Sequence, residues 1–344
     1  MIPLFILLQK PVRKKGPAFA LCSGLSSVFC VLQNRLWVSL TSRMQKAGRI
    51  EWVLLFSCVL IWGSSFILMK KALLVFPPDE VAAIRLTAAG ICLLPFSMRA
   101  ILKRGFQVWP WGKLTLSCML GNFIPAFLFA LALTGVDSGT SGVLNSLTPL
   151  WTLVMGVAFF GMQAGRFQVM GIVLGWFGAI LLLMTRPSSG GETNYDLGML
   201  IVLATVMYGT NANFVKKYLS ELRALTLTSL ALGIGAVPAG LYLLTTDVTS
   251  RMSVPGSGQA LLAALALGCI GTAFALSLFF ALLRRCDPLF ASSVTYFMPI
   301  VALALALADG ETLQLLHMLG LSLILGGVWL VNRRRVRVAS SPRG

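Results

Sequence analysis

The chain has 344 residues, of which 57% are hydrophobic and 11% are charged, and its mean hydropathy is +0.85. Soluble domains average about 25% charged residues, so this composition excludes a soluble fold and indicates a protein that crosses a membrane several times. The net charge of +17 is typical of nucleic-acid-binding chains, but the basic residues lie mostly in short segments between apolar runs. That placement follows the positive-inside rule of membrane proteins and argues against nucleic acid as a partner.

Residues 1–49 form an N-terminal extension. Its apolar patch at 17–33 loosely resembles a secretory signal, but no small-residue cleavage pattern follows it. Met44 begins a short basic lead into the first well-defined apolar span, so we expect translation to start at Met44. The alternative is that the extension contains a further interfacial or membrane segment. If that segment crossed the membrane once, the native N-terminus would lie outside.

Ten apolar runs follow the extension, each near the roughly 20 residues that a helix needs to cross a bilayer. Loops rich in Gly, Pro, Asp and basic residues separate them. The sequence therefore predicts an all-α integral membrane protein with ten transmembrane helices. The predicted spans cover 51–70, 79–98, 113–134, 138–160, 167–186, 196–216, 224–245, 259–283, 288–308 and 313–332.

The basic residues also predict the orientation. With the N-terminus in the cytoplasm and the spans alternating, most Lys and Arg residues fall on the cytoplasmic side, including a basic tail at 334–344. Most acidic residues fall on the other side. We therefore expect a multi-pass protein of a bacterial cytoplasmic (inner) membrane with both termini in the cytoplasm.

One motif occurs twice inside apolar spans. "WGSSFILMKK" at 62–71 and "YGTNANFVKK" at 208–217 share an aromatic-glycine pair, small or polar residues, and two terminal lysines. Other features recur in the same order. They match Leu120-Gly121 with Leu267-Gly268, Pro149 with Pro299, and Gly171 and Gly178 with Gly320 and Gly327.

This recurrence predicts two halves of five spans each, at 50–187 and 196–333, joined by a linker at 188–195. Because five is odd, the second half enters the membrane in the opposite direction to the first. The sequence thus predicts two inverted five-helix repeats, an arrangement that many transporters use for alternating access.

These motifs resemble the EamA-type branch of the drug/metabolite transporter superfamily. The resemblance is carried by "WGSSF" in span one, Arg85 in "EVAAIRLTAAG", the prolines of spans four and nine, and "DGETLQLLHMLGLSLILGGVWL" near the end. It implies ten helices in two inverted repeats and transport, often export, of amino acids or other small metabolites. One departure concerns a glycine-glutamate pair that the family often has in both halves. Gly310-Glu311 matches it, but Gly161 is followed by Met162.

Polar residues inside the spans are candidates for a substrate cavity, because such side chains are costly in lipid and usually face the bundle interior. In span four, Ser141, Asn145, Thr148 and Thr152 share one helix face beside Pro149, and span nine carries Ser292, Thr295, Tyr296 and Pro299. The alternative is that such groups join helices without touching a ligand. The predicted cavity residues are Trp62, Ser65, Asn122, Asn145, Thr148, Tyr208, Asn211, Thr295 and Tyr296, with Pro149 and Pro299 as helix breaks that open or bend the spans.

Arg85 is the one charge well inside a predicted span. It either contacts an anionic substrate group or a helix C-terminus, or extends toward the outer interface near Asp79 and Glu80. We favour a structural ion-pair or interface role. Glu311 and Asp309 are interpreted as a solvated cap of span ten, and His317 as a packed side chain. No carboxylate lies at mid-membrane, so proton coupling, exchange and facilitated diffusion remain open.

The sequence favours a secondary transporter, and specifically an exporter, of amino acids or other small polar metabolites. A P-loop, an H-E-x-x-H motif and C-x-x-C pairs are missing from the sequence, so we expect no enzyme activity, no cofactor and no metal. The expected partners are a small-molecule substrate and the lipid bilayer. The alternative is a membrane scaffold or sensor that uses the same helices without transport.

Overall fold

The computed structural model describes residues 48–185, 195–285, 294–312 and 314–332, apart from the side chains of Phe280, Leu283, Arg284 and Asn332. Within these ranges the chain is helical and contains no strand. Most of the predicted extension with Met44, most of the predicted linker, the predicted tail and Ser292 lie outside the described residues.

Eight helices in the described residues are long and apolar enough to cross a membrane, so the chain is a multi-pass membrane protein. Two shorter apolar helices follow, α9 and α10. Because the predicted ninth span begins outside the described residues, the count of ten crossings stays a prediction. The bounds are α1 Arg49–Ala72, α2 Pro78–Arg104, α3 Trp111–Ala132, α4 Ser138–Phe159, α5 Arg166–Leu183, α6 Tyr195–Tyr218, α7 Ala224–Leu243, α8 Ser257–Phe279 with its continuation to Arg285, α9 Val294–Ala308 and α10 Leu315–Asn332.

Three of the long helices are irregular. A π turn interrupts α3 at Met119–Phe123 and α8 at Cys269–Phe274. The helix α4 breaks between its segments Ser138–Asn145 and Thr148–Phe159. Single π turns frequently mark functional sites, because they shift the backbone hydrogen bonds by one residue and leave carbonyl groups for other partners.

The π turns lie where the first helix of one predicted half meets the third helix of the other. Gly121 packs against Asn211 of α6, and a methyl group at Gly271 would lie 3.0 Å from Ser65 Oγ of α1. These contacts place Gly121 and Gly271 in equivalent positions of the two predicted halves, whereas the sequence matched Gly121 with Gly268. The sequence match rested on one Leu-Gly pair, and such a pair recurs easily in a leucine-rich segment. The sequence pattern also does not indicate where the π turn lies.

Glycines also bring α5 and α10 into close backbone contact. A methyl group at Gly171 would lie 2.5 Å from the Gly327 carbonyl oxygen, and one at Gly178 would lie 2.7 Å from the Gly320 carbonyl oxygen. Since the earlier glycine of one helix faces the later glycine of the other, α5 and α10 run antiparallel. Small residues at such a crossing allow the backbones to approach, as in many membrane helix pairs.

The glycines of the repeated motif serve the same purpose. A methyl group at Gly63 of α1 would lie 2.6 Å from Val301 Cβ of α9, and one at Gly209 of α6 would lie 2.6 Å from Thr152 N of α4. Each first helix therefore packs closely on the fourth helix of the other predicted half.

Candidate functional site

Two predicted site residues converge on the π turn of α8. Trp62 of α1 donates its indole N–H to the Gly271 carbonyl oxygen at 3.0 Å, and Arg85 of α2 donates its Nε–H to Thr272 Oγ1 at 3.1 Å. The Thr272 hydroxyl in turn donates to the Leu267 carbonyl oxygen at 3.0 Å, which fixes its orientation. The irregular backbone of α8 is thus held between a tryptophan and an arginine from the first half.

Arg85 is not paired with the acids at the start of its own helix. Glu80 forms an ion pair with Arg251 at 3.1 Å, and Asp79 accepts a hydrogen bond from the Tyr242 hydroxyl. In the described part of the chain Arg85 makes no ion pair, so the ion pair with Asp79 or Glu80 was wrong, and the interface role stays a prediction. The side chain points instead toward Thr272 of α8.

Aromatic rings continue the site from α6 toward α4. Tyr208 stacks on Phe129 of α3 at a ring distance of 6.1 Å, and Phe129 lies 6.0 Å from the Phe66 ring of α1. Phe66 faces Gly142 of α4, where a methyl group would lie 3.3 Å from Phe66 Cδ2. The faces of such rings accept both apolar groups and cations.

The break in α4 leaves one polar atom without a partner. Pro149 cannot donate to the Asn145 carbonyl oxygen four residues before it, and the Thr148 hydroxyl takes that place at 2.8 Å. The side-chain Oδ1 of Asn145 is buried and has no hydrogen-bond partner in the described residues. A buried acceptor of this kind costs about 1–3 kcal/mol unless a ligand or water satisfies it.

Pro299 lies inside α9, which stays helical on both sides of it. It frees the Thr295 carbonyl oxygen, which accepts a hydrogen bond from the Ser146 hydroxyl of α4 at 3.4 Å. The Tyr296 hydroxyl donates to the Val328 carbonyl oxygen of α10 at 3.4 Å. The polar groups of α9 therefore contact neighbouring helices in this conformation.

The other hydroxyls of the α4 face bond to their own backbone. Ser141 donates to the Asp137 carbonyl oxygen at 3.0 Å, and Thr152 donates to the Thr148 carbonyl oxygen at 2.8 Å. Hydroxyls bonded in this way bend or stabilise helices. Asn145 is therefore the member of the predicted face that presents an unused polar atom.

Three further predicted cavity residues lie at the crossings of the first and third helices. Asn211 accepts a hydrogen bond from the Ser117 hydroxyl at 2.8 Å, and Ser65 donates to the Ile61 carbonyl oxygen at 2.9 Å. Asn122 lies in the π turn of α3, and its side chain makes no hydrogen bond to any described residue. Asn211 and Ser65 contact the π turns directly, so they position the helices around the site.

Sequence reasoning missed Thr272, which holds the Arg85 guanidinium. The signal was present in "CIGTAF", where a threonine follows a glycine inside an apolar span.

One end of the bundle carries an ionic cluster around the buried carboxylate of Glu311. The Glu311 carboxylate accepts hydrogen bonds from Lys70 Nζ at 2.7 Å, Ser138 N at 3.1 Å and Gly139 N at 3.1 Å, and its residue is only 6% exposed. Glu311 therefore caps α4, and its interpretation as a solvated cap of span ten was wrong. Because α4 lies far from Glu311 in sequence, local spacing could not indicate this partner. Asp309 pairs with Lys70 at 3.2 Å in the same cluster.

The pKa values of these carboxyls follow from their partners. Burial raises the pKa of Glu311, but the Lys70 ammonium, the Ser138 hydroxyl and the two amides outweigh it and hold the pKa below its ordinary value. The hydrogen bond from Lys71 is the main reason that the pKa of Asp309 is also lowered. Both acids are therefore ionised at neutral pH. His317, interpreted as a packed side chain, is 2% exposed and bonds through Nε2 to Thr140 Oγ1 at 2.9 Å.

The other end of the bundle has a different arrangement at the matching turn. Gly161 and Gly310 both have positive φ, of 70° and 87°. After Gly310 comes Glu311, whereas after Gly161 comes Met162, which packs against Gly156. In this half the second lysine of the motif, Lys217, lies over the Phe160 and Tyr218 rings at 5.6 and 5.2 Å. The ionic cluster thus has no counterpart among the described residues of that end.

The described residues thus form a bundle of membrane-spanning helices with a buried, unpartnered acceptor at Asn145. Comparison with known proteins identifies the class and the family. Residues 49–184 and 197–333 each match the EamA-like transporter family, so the chain belongs to that family.

Relatives of similar length agree with this assignment. The chain is 27% identical over 297 residues to YedA of Escherichia coli strain K12, named as an uncharacterized inner membrane transporter, with 84% of this chain and 92% of the relative covered. It is 26% identical to a probable amino-acid metabolite efflux pump of Salmonella typhimurium strain LT2, over 79% of this chain and 91% of the relative. A crystal structure with 20% identity and a TM-score of 0.54, covering 81% of this chain and 95% of that one, shares the fold.

Proposed function

We propose that the chain is a secondary transporter that exports amino acids or other small polar metabolites across a bacterial inner membrane, with both termini in the cytoplasm. The observation that carries this proposal is the unused polar capacity inside the bundle, at Asn145 Oδ1 and the Arg85 guanidinium. Polar groups at bilayer depth without a structural partner typically mark a solute pathway. The direction of transport is taken from the relatives named as efflux pumps.

The proposed architecture is ten transmembrane helices in two inverted five-helix repeats. The antiparallel contact between α5 and α10 supports it, because these are the fifth helices of the two predicted halves. The two π turns support it as well, since each interrupts the third helix of a half. Inverted repeats allow alternating access by exchanging the conformations of the two halves around a fixed site.

The proposed cavity lies between α1, α2, α4, α6 and the π turn of α8. Trp62, Tyr208 and Asn145 contribute side chains that meet the solute, and Arg85 contributes a charge. Asn122, beside the π turn of α3, is a further contact. The side chains already bonded to backbone or to neighbouring helices position this cavity, and they include Ser65, Thr148, Asn211 and Tyr296. Thr295 contributes through its backbone carbonyl oxygen, which accepts from Ser146.

The test replaces Asn145 by alanine and measures efflux of labelled amino acids from proteoliposomes. We expect about a tenfold or greater loss of flux, because the variant removes a hydrogen-bond acceptor for the solute. Ser322→Ala is the matched control, since Ser322 is exposed on α10 and bonds only to the Met318 carbonyl oxygen. Unchanged flux in correctly folded Asn145→Ala protein would contradict the site, and no flux from folded wild-type protein would favour a scaffold or sensor.

A further inference from the structure

Two turns of the bundle are rich in basic residues and poor in acids. Residues 99–113, which end α2 and begin α3, contain four basic residues and no acid. Residues 214–223, which end α6 and precede α7, contain three basic residues and one acid, Glu221. All seven basic side chains are exposed. The two segments therefore present seven positive charges against one negative charge.

The two turns pack against each other. Trp109 and Leu114 of the first segment share a buried cluster with Leu219 of the second. Lys113 Nζ of the first segment lies 5.6 Å from the centre of the Tyr218 ring of the second. Residues 99–113 and 214–223 thus form one continuous area, which we call the basic surface.

The cations of the basic surface have no anionic partner in the protein. None of the seven forms an ion pair or a side-chain hydrogen bond with any described residue. Arg104 instead lies 5.7 Å over the Trp109 ring, and Lys217 lies 5.2 Å over the Tyr218 ring, which Lys113 also approaches. A cation held over a ring keeps its N–H groups available to an acceptor.

The lysine pairs of the repeated motif differ in this respect. Lys70 and Lys71, the first pair, form ion pairs with Asp309 and Glu311. The second pair, at 216–217, finds no acid within the described ranges. Unpaired charge is therefore a property of the basic surface and not of the motif, and an anion from outside the chain can supply the missing partner.

Exposed apolar side chains on the same surface indicate the kind of anion. Leu102, Phe106 and Val108 are 80%, 62% and 66% exposed, and the Phe106 ring stacks on Trp111 at 4.4 Å. Aromatic rings beside basic residues are typical of the boundary between membrane and water. A soluble phosphate or a nucleic acid would leave these apolar side chains in water, whereas a phospholipid covers them with its acyl chains.

We propose that the basic surface binds the headgroup of an anionic phospholipid. Lys113 and Lys217 contact its phosphate beside Tyr218, Arg104 adds positive charge, and the acyl chains lie against Phe106. Clusters of four to eight basic residues next to membrane helices bind acidic lipids in this way. The inference goes beyond the proposed transport function and does not depend on it.

This lipid links the two predicted halves. Residues 99–113 belong to the first half and residues 214–223 belong to the second. At the other end of the bundle, Glu311 supplies the negative charge that joins neighbouring helices. Here Met162 follows the matching glycine, Gly161, and the lipid phosphate supplies the negative charge instead.

The experiment measures binding of two lipids to wild-type protein in a nonionic detergent. Phosphatidylglycerol, which has one net negative charge, is compared with phosphatidylcholine, which has none, with identical acyl chains and a fluorescent label on one chain. We expect at least about fivefold tighter binding of phosphatidylglycerol. Raising the KCl concentration from about 0.05 to about 0.5 M should reduce this preference several-fold, because salt screens the charges.

The variants Lys113→Gln and Lys217→Gln each remove one charge from the basic surface. Each is expected to weaken phosphatidylglycerol binding by about fivefold and to leave phosphatidylcholine binding unchanged. The corresponding arginine variants keep the charge and should retain the affinity. Lys71→Gln is the matched control, because Lys71 is exposed at the other end and Asp309 keeps Lys70 as a partner.

Three results would overturn the proposal. The first is equal affinity of the wild-type protein for the two lipids at low salt. The second is full affinity for phosphatidylglycerol in the folded Lys113→Gln and Lys217→Gln variants. The third is displacement of the labelled lipid by an equal concentration of glycerol phosphate, which would make a soluble phosphate the ligand.

Arg104→Gln tests the same surface if neither lysine variant folds. It removes the charge over the Trp109 ring, so about fivefold weaker binding of phosphatidylglycerol is expected. Full affinity in this variant would then exclude the basic surface as the lipid site. Because binding is measured without flux, a failure of the proposed transport function leaves these results unaffected.

Discussion

At the scale of single residues, the Glu311 carboxylate links two helices that are far apart in the sequence. It joins α1 through Lys70 to the start of α4 through the Ser138 and Gly139 amides. A carboxylate at a helix N-terminus is favoured by the helix dipole, and removing one member of a buried ion pair is strongly destabilising. Glu311 therefore holds one end of the bundle in its present conformation.

We predict that Glu311→Gln lowers the free energy of unfolding by about 2–3 kcal/mol, because the amide keeps the shape but loses the charge that Lys70 and the amides bind. Thermal unfolding in detergent at pH 7 measures the change. Glu221→Gln is the control, since Glu221 is exposed between α6 and α7.

The effect depends on pH with a defined sign. Because the folded pKa of Glu311 lies below its ordinary value of 4.5, its stabilisation is present above that pH and is lost as the pH falls through the lowered folded value. The difference in melting temperature between wild type and Glu311→Gln should therefore shrink below about pH 4.5. A difference that stays constant from pH 7 to pH 3 would show that the charge is not its source.

The sequence was a better guide to the candidate site residues than to the residues that they contact. Trp62 and Asn145 were predicted from polar or aromatic character inside apolar spans, and the structure places both beside helix irregularities. The partners of Arg85 and Glu311 were missed, because each contact joins residues far apart in the chain. No periodicity within one helix can indicate which of several neighbouring helices it will meet.

At the scale of helices, the contact of α5 with α10 depends on glycine. The carbonyl oxygens of Gly320 and Gly327 occupy the space that side chains at Gly178 and Gly171 would need. The apolar runs predicted both helices, and the glycine spacing predicted that they occupy equivalent positions in the two halves. The direct contact between them was not predictable, because the same spacing fits any close helix crossing.

We predict that Gly178→Ala destabilises the protein by about 1–3 kcal/mol, since the added methyl group meets a backbone oxygen at 2.7 Å and forces the two helices apart. Thermal unfolding in detergent is the measurement. Gly326→Ala on α10 is the matched control, because its methyl group would meet only Leu174 Cδ2 at 3.4 Å. Equal melting temperatures for the two variants would contradict the close contact of α5 with α10.

At the scale of the whole molecule, the two ends of the bundle are unequal. One end is held by the cluster of Glu311, Asp309 and Lys70, whereas the matching turn at the other end carries Met162. In the proposed arrangement of two inverted repeats, this difference gives the two proposed access conformations different free energies. The interior between them holds the polar groups on which the proposed transport depends.

The most direct test of the account is efflux of a pooled, labelled metabolite library from proteoliposomes that contain the wild-type protein, with and without an imposed proton gradient. The account predicts saturable flux of amino acids above protein-free vesicles, and the response to the gradient distinguishes proton coupling from exchange or facilitated diffusion. Absence of flux for every compound, with protein shown to be folded and inserted, would contradict the assignment as a transporter.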